Sequence, residues 1–137
     1  MPNKQLAMQS PVTVITFGTF DLCHVGHIRI LNKAAKFGDR LVVGISSDAL
    51  NRRKKIKDAA YTQDQRMEII GSLRCVDHTF LEESLEDKAM YIQQHGASIL
   101  IMGDDWKGRF DEMPCKVVYI ERTPDISTTE VIGNIRI

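Results

Sequence analysis

The chain has 137 residues, 18 lysines and arginines against 18 aspartates and glutamates, and 43% apolar residues. That length suits one domain with a substantial core, and a net charge of zero argues against a broad basic surface for nucleic acid or anionic lipid. No apolar run approaches the length of a membrane span. Residues 1–11 hold one lysine and no apolar segment, which reads as a flexible arm and not as a signal peptide. Cys23, Cys75 and Cys115 are odd in number and lack a CxxC pair, which points to free thiols in a reducing compartment.

The first predicted element is a buried strand over Val12 to Phe17. Gly18 to Cys23 reads as a turn and Gly26 to Phe37 as a helix. Leu41 to Ile45 is a second buried strand, leading into the basic run Asn51-Arg52-Arg53-Lys54-Lys55-Ile56-Lys57, read as a loop. Thr62 and Gln65 have capping-box spacing and open a helix to about Leu73. A short strand follows at His78 to Leu81, then a helix that Ser84 can cap and Gly96 terminates. Ser98 to Met102 and Lys116 to Ile120 are the last two strands, and Ser127 with Glu130 makes a capping box for a C-terminal helix. Continuous apolar strands alternating with helices predict an α/β domain over residues 12–137. It would be one Rossmann-like, doubly wound parallel sheet covered on both faces.

Right-handed crossovers bring all the strand ends to one edge of that sheet, the usual place for a ligand. The first end delivers Thr19, Asp21, His24 and His27. His24 and His27 sit one turn apart where a strand hands over to a helix, and the first turn of a helix attracts anions. Gly18 lets the turn tighten, and Gly26 lets backbone approach a ligand. Phosphate oxygens are the expected partners of the two imidazoles. A structural pair and a zinc site are the alternatives, and zinc would need ligands beyond Cys23 and Asp21. The basic run is either a solvated loop or a mobile phosphate lid. Ser127-Thr128-Thr129 either simply caps a helix or, with Arg122 and Thr123, forms a second anion site. Asp104-Asp105-Trp106 is a polar turn, a base or ribose contact, or a help in holding Mg²⁺. Cys23 is a packed thiol or, less consistently with its apolar setting, a nucleophile.

Taken together, Gly18-Thr19-Phe20-Asp21-Leu22-x-His24-x-Gly26-His27, Gly103-Asp104-Asp105-Trp106 and Arg122-Thr123-x-x-Ile126-Ser127-Thr128-Thr129 resemble the cytidylyltransferase branch of the nucleotidyltransferase superfamily. The resemblance is strongest to the small bacterial glycerol-3-phosphate cytidylyltransferases and runs from about Val12 to Ile132. It implies direct attack of a substrate phosphate on the α-phosphorus of CTP, with Mg²⁺ present and pyrophosphate leaving. It implies that His24 and His27 contact the nucleotide phosphates and stabilise the transition state, supported by Arg66. Thr19, Phe20, Asp21, Gly26, Lys57, Asp105, Arg122, Thr123, Ile126, Ser127, Thr128 and Thr129 would form the CTP site. Lys54 and Lys88 would reach the acceptor phosphate, Lys54 counting among the catalytic groups. Arg74 and Asp77 would lie near the contact of a homodimer, and the setting would be cytoplasmic, with products destined for cell-surface polymers. Two positions depart from the family: Asp125 stands where it has glycine, and Leu85 where it has tryptophan. Phosphoethanolamine, phosphocholine or another polyol phosphate therefore stay open as acceptors. An ATP-dependent adenylyltransferase and a non-catalytic nucleotide-binding module are the rival readings.

Overall fold

The structure is a computed structural model that describes residues 11–54, 58–122, 127–129 and 132. Its chain order is β1 (Thr13–Gly18), α1 (Val25–Ala35), β2 (Arg40–Ser46), α2 (Asp48–Arg53), α3 (Gln63–Gly71), β3 (His78–Glu82), α4 (Lys88–Gln94), β4 (Ile99–Gly103), a 3₁₀ turn (Asp104–Trp106) and β5 (Lys116–Ile120). The five strands form one parallel sheet in the order β3-β2-β1-β4-β5. The order reverses between β1 and β4, so the crevice beyond their carboxyl ends is the topological switch point of the sheet.

Successive residues of β1 pack into different layers, as a parallel sheet covered on both faces requires. Val14 joins Leu31, Ala34, Val43, Ile70 and Ile101 on one face. Ile15 and Phe17 join Tyr91, Ile92, Leu100 and Met102 on the other. The register sets Thr16 of β1 opposite Val43 of β2 and Ile101 of β4. The Thr16 hydroxyl donates to the Ile101 carbonyl (2.6 Å), which satisfies a polar group inside the sheet.

The strands and long helices stand where periodicity put them, with ends displaced by a few residues. Two local expectations are corrected. Asn51, Arg52 and Arg53 are helical, in α2, whose N-cap is Ser47 accepting from the Leu50 N–H. The run of charges there masked a short helix that tertiary contacts hold. Ser84 does not cap α4: its hydroxyl donates to Glu86 (2.6 Å), and the N-cap position is Asp87. Gly96 does follow α4 with a left-handed φ of 62°. The arm over residues 1–10 and the predicted cap partner Glu130 lie outside the described residues.

Candidate active site

The turn between β1 and α1 is unusual in its backbone. Phe20 and Leu22, not glycines, have positive φ, 53° and 50°, a conformation that costs energy and concentrates at functional sites. Gly18 contributes differently from the expected tightening: a Cβ there would stand 2.8 Å from the Phe20 ring. Phe20 is therefore free to fold back, buried, with its ring edge-on to His27 at 5.4 Å. Between the two strained residues, the buried Asp21 carboxylate accepts from the N–H groups of Ala60 (2.7 Å) and Tyr61 (3.0 Å). The Asp21 carbonyl accepts from the Thr128 hydroxyl (3.1 Å), which ties the start of the C-terminal helix to the same turn.

His24 is the N-cap of α1, and with His27 it forms a capping box built from imidazoles. The Gly26 N–H donates to Nδ1 of His24 (3.1 Å), and the His24 N–H donates to Nδ1 of His27 (3.3 Å). Both Nδ1 atoms are acceptors, so each neutral ring carries its proton on Nε2. The rings stack at 3.8 Å and 22°. Burial pushes His27 down to about 4, helped by His24 and Arg122 and opposed by Asp21. Burial and then Arg122 also lower His24. The pair is thus neutral at pH 7 and presents two Nε2–H donors. Nε2 of His24 is buried and has no hydrogen-bond partner among the described residues. A buried donor left unsatisfied is costly, and a ligand oxygen at the switch point would relieve that cost.

The Arg122 guanidinium is near enough to lower both histidines by its charge, and it is paired with Asp105 at 3.7 Å. Both side chains are more than half exposed, so the pair itself stabilises little. Gly103 makes room for it, because a Cβ there would meet Asp105 at 2.6 Å. Ser127 is half-buried and Thr129 exposed. Lys57, Thr123, Ile126 and the divergent Asp125 lie outside the described residues.

Arg66 is completely buried and sits behind the site instead of lining it. Its guanidinium donates to the carbonyls of Tyr61, Thr19 and Ser46 and pairs with Asp48 at 2.8 Å. It therefore holds the ends of β1 and β2 against the start of α3. Lys88 and Lys54 connect to one carboxylate, Lys88 directly and Lys54 through Ser46. Lys88 forms a buried ion pair with Glu82 and lies 4.4 Å over the Phe17 ring. Glu82 also accepts from the Ser46 hydroxyl (3.4 Å), which in turn accepts from Nζ of Lys54 (3.4 Å). Burial, with Lys88 and Arg66 assisting and Glu82 opposing, lowers Lys54 from its ordinary value. Sequence reasoning missed Ser46, Asp48, Asn51 and Glu82. Ser47 three residues before Leu50 was the available signal for a cap at that strand end, but nothing local marks Glu82 as buried.

The remaining candidates separate clearly. Arg74 and Asp77 lie at the opposite edge of the sheet, where Asp77 accepts from the Leu41 N–H (2.8 Å). Burial pushes the Cys23 thiol up, and it packs against the core, as a structural thiol does. Among the described residues no three His, Cys, Asp or Glu side chains converge on a metal position, and none of their helices is long and apolar enough to cross a membrane.

A model of the cytidylyltransferase-like family matches residues 15–134. A glycerol-3-phosphate cytidylyltransferase of Bacillus subtilis is 45% identical over 120 residues, covering 86% of this chain and 92% of that protein. One from Staphylococcus aureus is 39% identical, covering 86% and 90%. The lipopolysaccharide core biosynthesis protein of Thermoplasma volcanium superposes with a TM-score of 0.73 at 26% identity, covering 83% of this chain and 99% of that one. With its switch-point histidine pair and these matches across nearly its whole length, the chain belongs to the cytidylyltransferase-like family of nucleotidyltransferases.

Proposed function

We propose that the protein transfers CMP from CTP to glycerol 3-phosphate, giving CDP-glycerol and pyrophosphate. The carrying observation is the neutral, stacked histidine pair at the switch point, with a buried Nε2–H that has no partner among the described residues. A phosphate oxygen of the acceptor attacks the α-phosphorus in line, the bond to the β-phosphate oxygen breaks, and its electrons leave with pyrophosphate. Positioning and charge neutralisation are the main requirements of such a step. His24 and His27 donate from Nε2 to phosphate oxygens as negative charge builds, an oxyanion-hole role. Arg122 and the start of the C-terminal helix, from Ser127 to Thr129, complete the triphosphate site, with Lys57, Thr123 and Ile126 as further contacts. Thr19, Phe20 and Gly26 shape the nucleotide side, and Asp105 lies toward the cytidine. Lys54 takes the acceptor phosphate directly, while Lys88 supplies charge beneath it. Arg66 and Asp21 are positioning residues.

The donor set consists of N–H groups and cations, which suits phosphate oxygens better than a resident metal. Mg²⁺ held by the triphosphate oxygens would supply further neutralisation of the leaving pyrophosphate. The resemblance of the sequence motifs further implies a cytoplasmic homodimer with Arg74 and Asp77 near the contact, its product feeding cell-surface polymer synthesis.

The test is pyrophosphate release with CTP, Mg²⁺ and glycerol 3-phosphate, with ATP and phosphocholine in parallel. Release with CTP and glycerol 3-phosphate alone is the expected result. Release with CTP and a different acceptor keeps the chemistry and moves the specificity, with Leu85 and Asp125 the first positions to revert. CTP binding without release from any acceptor overturns the enzymatic reading.

A further inference from the structure

One polar side chain beside the site has a donor that the mechanism above does not use. Asn51 is 2% exposed. Its Oδ1 accepts from the Thr19 hydroxyl (3.3 Å), which fixes the orientation of the carboxamide. Its Nδ2 is buried with no hydrogen-bond partner among the described residues. Buried amides are nearly always paired, and the protein does better with an apolar residue at such a place unless something else takes the donor. Asn51 also lies between the two halves of the reaction. Thr19 belongs to the turn after β1 that carries the histidines, and Lys54, the C-cap of α2, follows three residues beyond Asn51. Asn51 is among the residues lining a cleft of about 150 Å³, together with Arg52, Tyr61 and the carboxylates Asp48 and Asp58.

We infer that Asn51 is a substrate contact, donating Nδ2–H to a phosphate oxygen of the acceptor where that group meets the nucleotide. The inference rests on the transferase reading above. A neutral donor is chemically suited to this place, since it binds the acceptor phosphate without drawing electron density from the attacking oxygen as strongly as a further cation would.

Two variants separate this role from a structural one. Asn51→Leu removes both ends of the amide at nearly constant shape. Asn51→Asp keeps an oxygen for the Thr19 hydroxyl and replaces the donor by an anion. Steady-state pyrophosphate release, CTP binding and thermal unfolding would be measured on the full chain. The expected result is a roughly 10- to 100-fold loss in kcat/KM for glycerol 3-phosphate in Asn51→Leu, the scale of one hydrogen bond to a charged oxygen. Asn51→Asp should lose more, CTP affinity should stay within about twofold in Asn51→Leu, and its Tm should not fall. Recovery of activity in Asn51→Asp, or a loss of activity that tracks a loss of Tm in Asn51→Leu, would assign Asn51 to holding Thr19 and overturn the proposal. Weakened CTP binding with unchanged acceptor kinetics would overturn it in favour of a nucleotide contact. A wild-type protein that releases no pyrophosphate with any acceptor would overturn the transferase reading, and this contact with it.

Discussion

The turn after β1 and the cluster at the ends of β2 and β3 treat polar groups in opposite ways. At the turn, His24 and His27 are neutral, each Nδ1 is committed to backbone, and the buried Nε2 of His24 has no partner among the described residues. At the neighbouring strand ends, Lys88, Glu82, Ser46 and Lys54 form a chain of linked groups. Arg66 extends the second pattern, with its guanidinium bonded to three carbonyls and Asp48. Both patterns occur within one crevice, so burial alone does not mark a ligand contact. Full satisfaction by the protein, as for Arg66 and the Lys88–Glu82 pair, marks a group that holds the frame, whereas the half-buried Lys54 ammonium makes one bond, to Ser46, and keeps further donors for a ligand.

The largest expected effect lies on the satisfied side. Glu82→Gln leaves the buried Lys88 ammonium without its anion and should lower stability by about 3–5 kcal/mol, read from urea unfolding. Pairing Glu82→Gln with Lys88→Met should recover most of that loss, because the penalty comes from the orphaned charge. If the double variant is no more stable than the single one, the pair is not an isolated unit and the comparison with the turn weakens.

On the unsatisfied side, His24→Asn keeps a short acceptor at the N-cap and removes the Nε2 donor. It should reduce kcat by roughly 10²- to 10³-fold, the measure of one oxyanion donor, with stability changed by less than about 1 kcal/mol. Equal losses in unfolding free energy and in turnover would place His24 with the structural groups.

A further effect concerns pH. The folded chain holds His27 near 4, below the ordinary 6.5 that applies after unfolding. Between those values the unfolded chain binds a proton that the folded one does not, so stability falls as pH drops through that window and the loss levels off below it. Thermal melts of the ligand-free protein from pH 7.5 to 4 should show this slope. His27→Asn should flatten it, and parallel slopes in the two proteins would mean that other groups cause it.

Asp21 and Asn51 show where sequence reading reached and where it stopped. The strand run Val12 to Phe17, the Thr62–Gln65 capping box and the stop at Gly96 follow from local periodicity and local hydrogen bonding, so they were legible along with the parallel sheet. The histidine pair was legible because His24 and His27 lie on one turn of one helix, within reach of each other by spacing alone. The partners of Asp21 are 39 and 40 residues away, and Asn51 was hidden in a run of charges that reads as a loop. The chain's own order of residues determined the strand-and-helix alternation and the turn that carries the histidine pair, because those depend on neighbours within a few positions. Only the tertiary structure decided that Arg66 would be wholly engaged behind the site, that Glu82 would pair with Lys88 and reach Lys54 through Ser46, and that donors of His24 and Asn51 would find no partner among the described residues. Each of those outcomes depends on which carbonyls and carboxylates the crossovers bring within about 3 Å of a buried donor, and no local spacing encodes that.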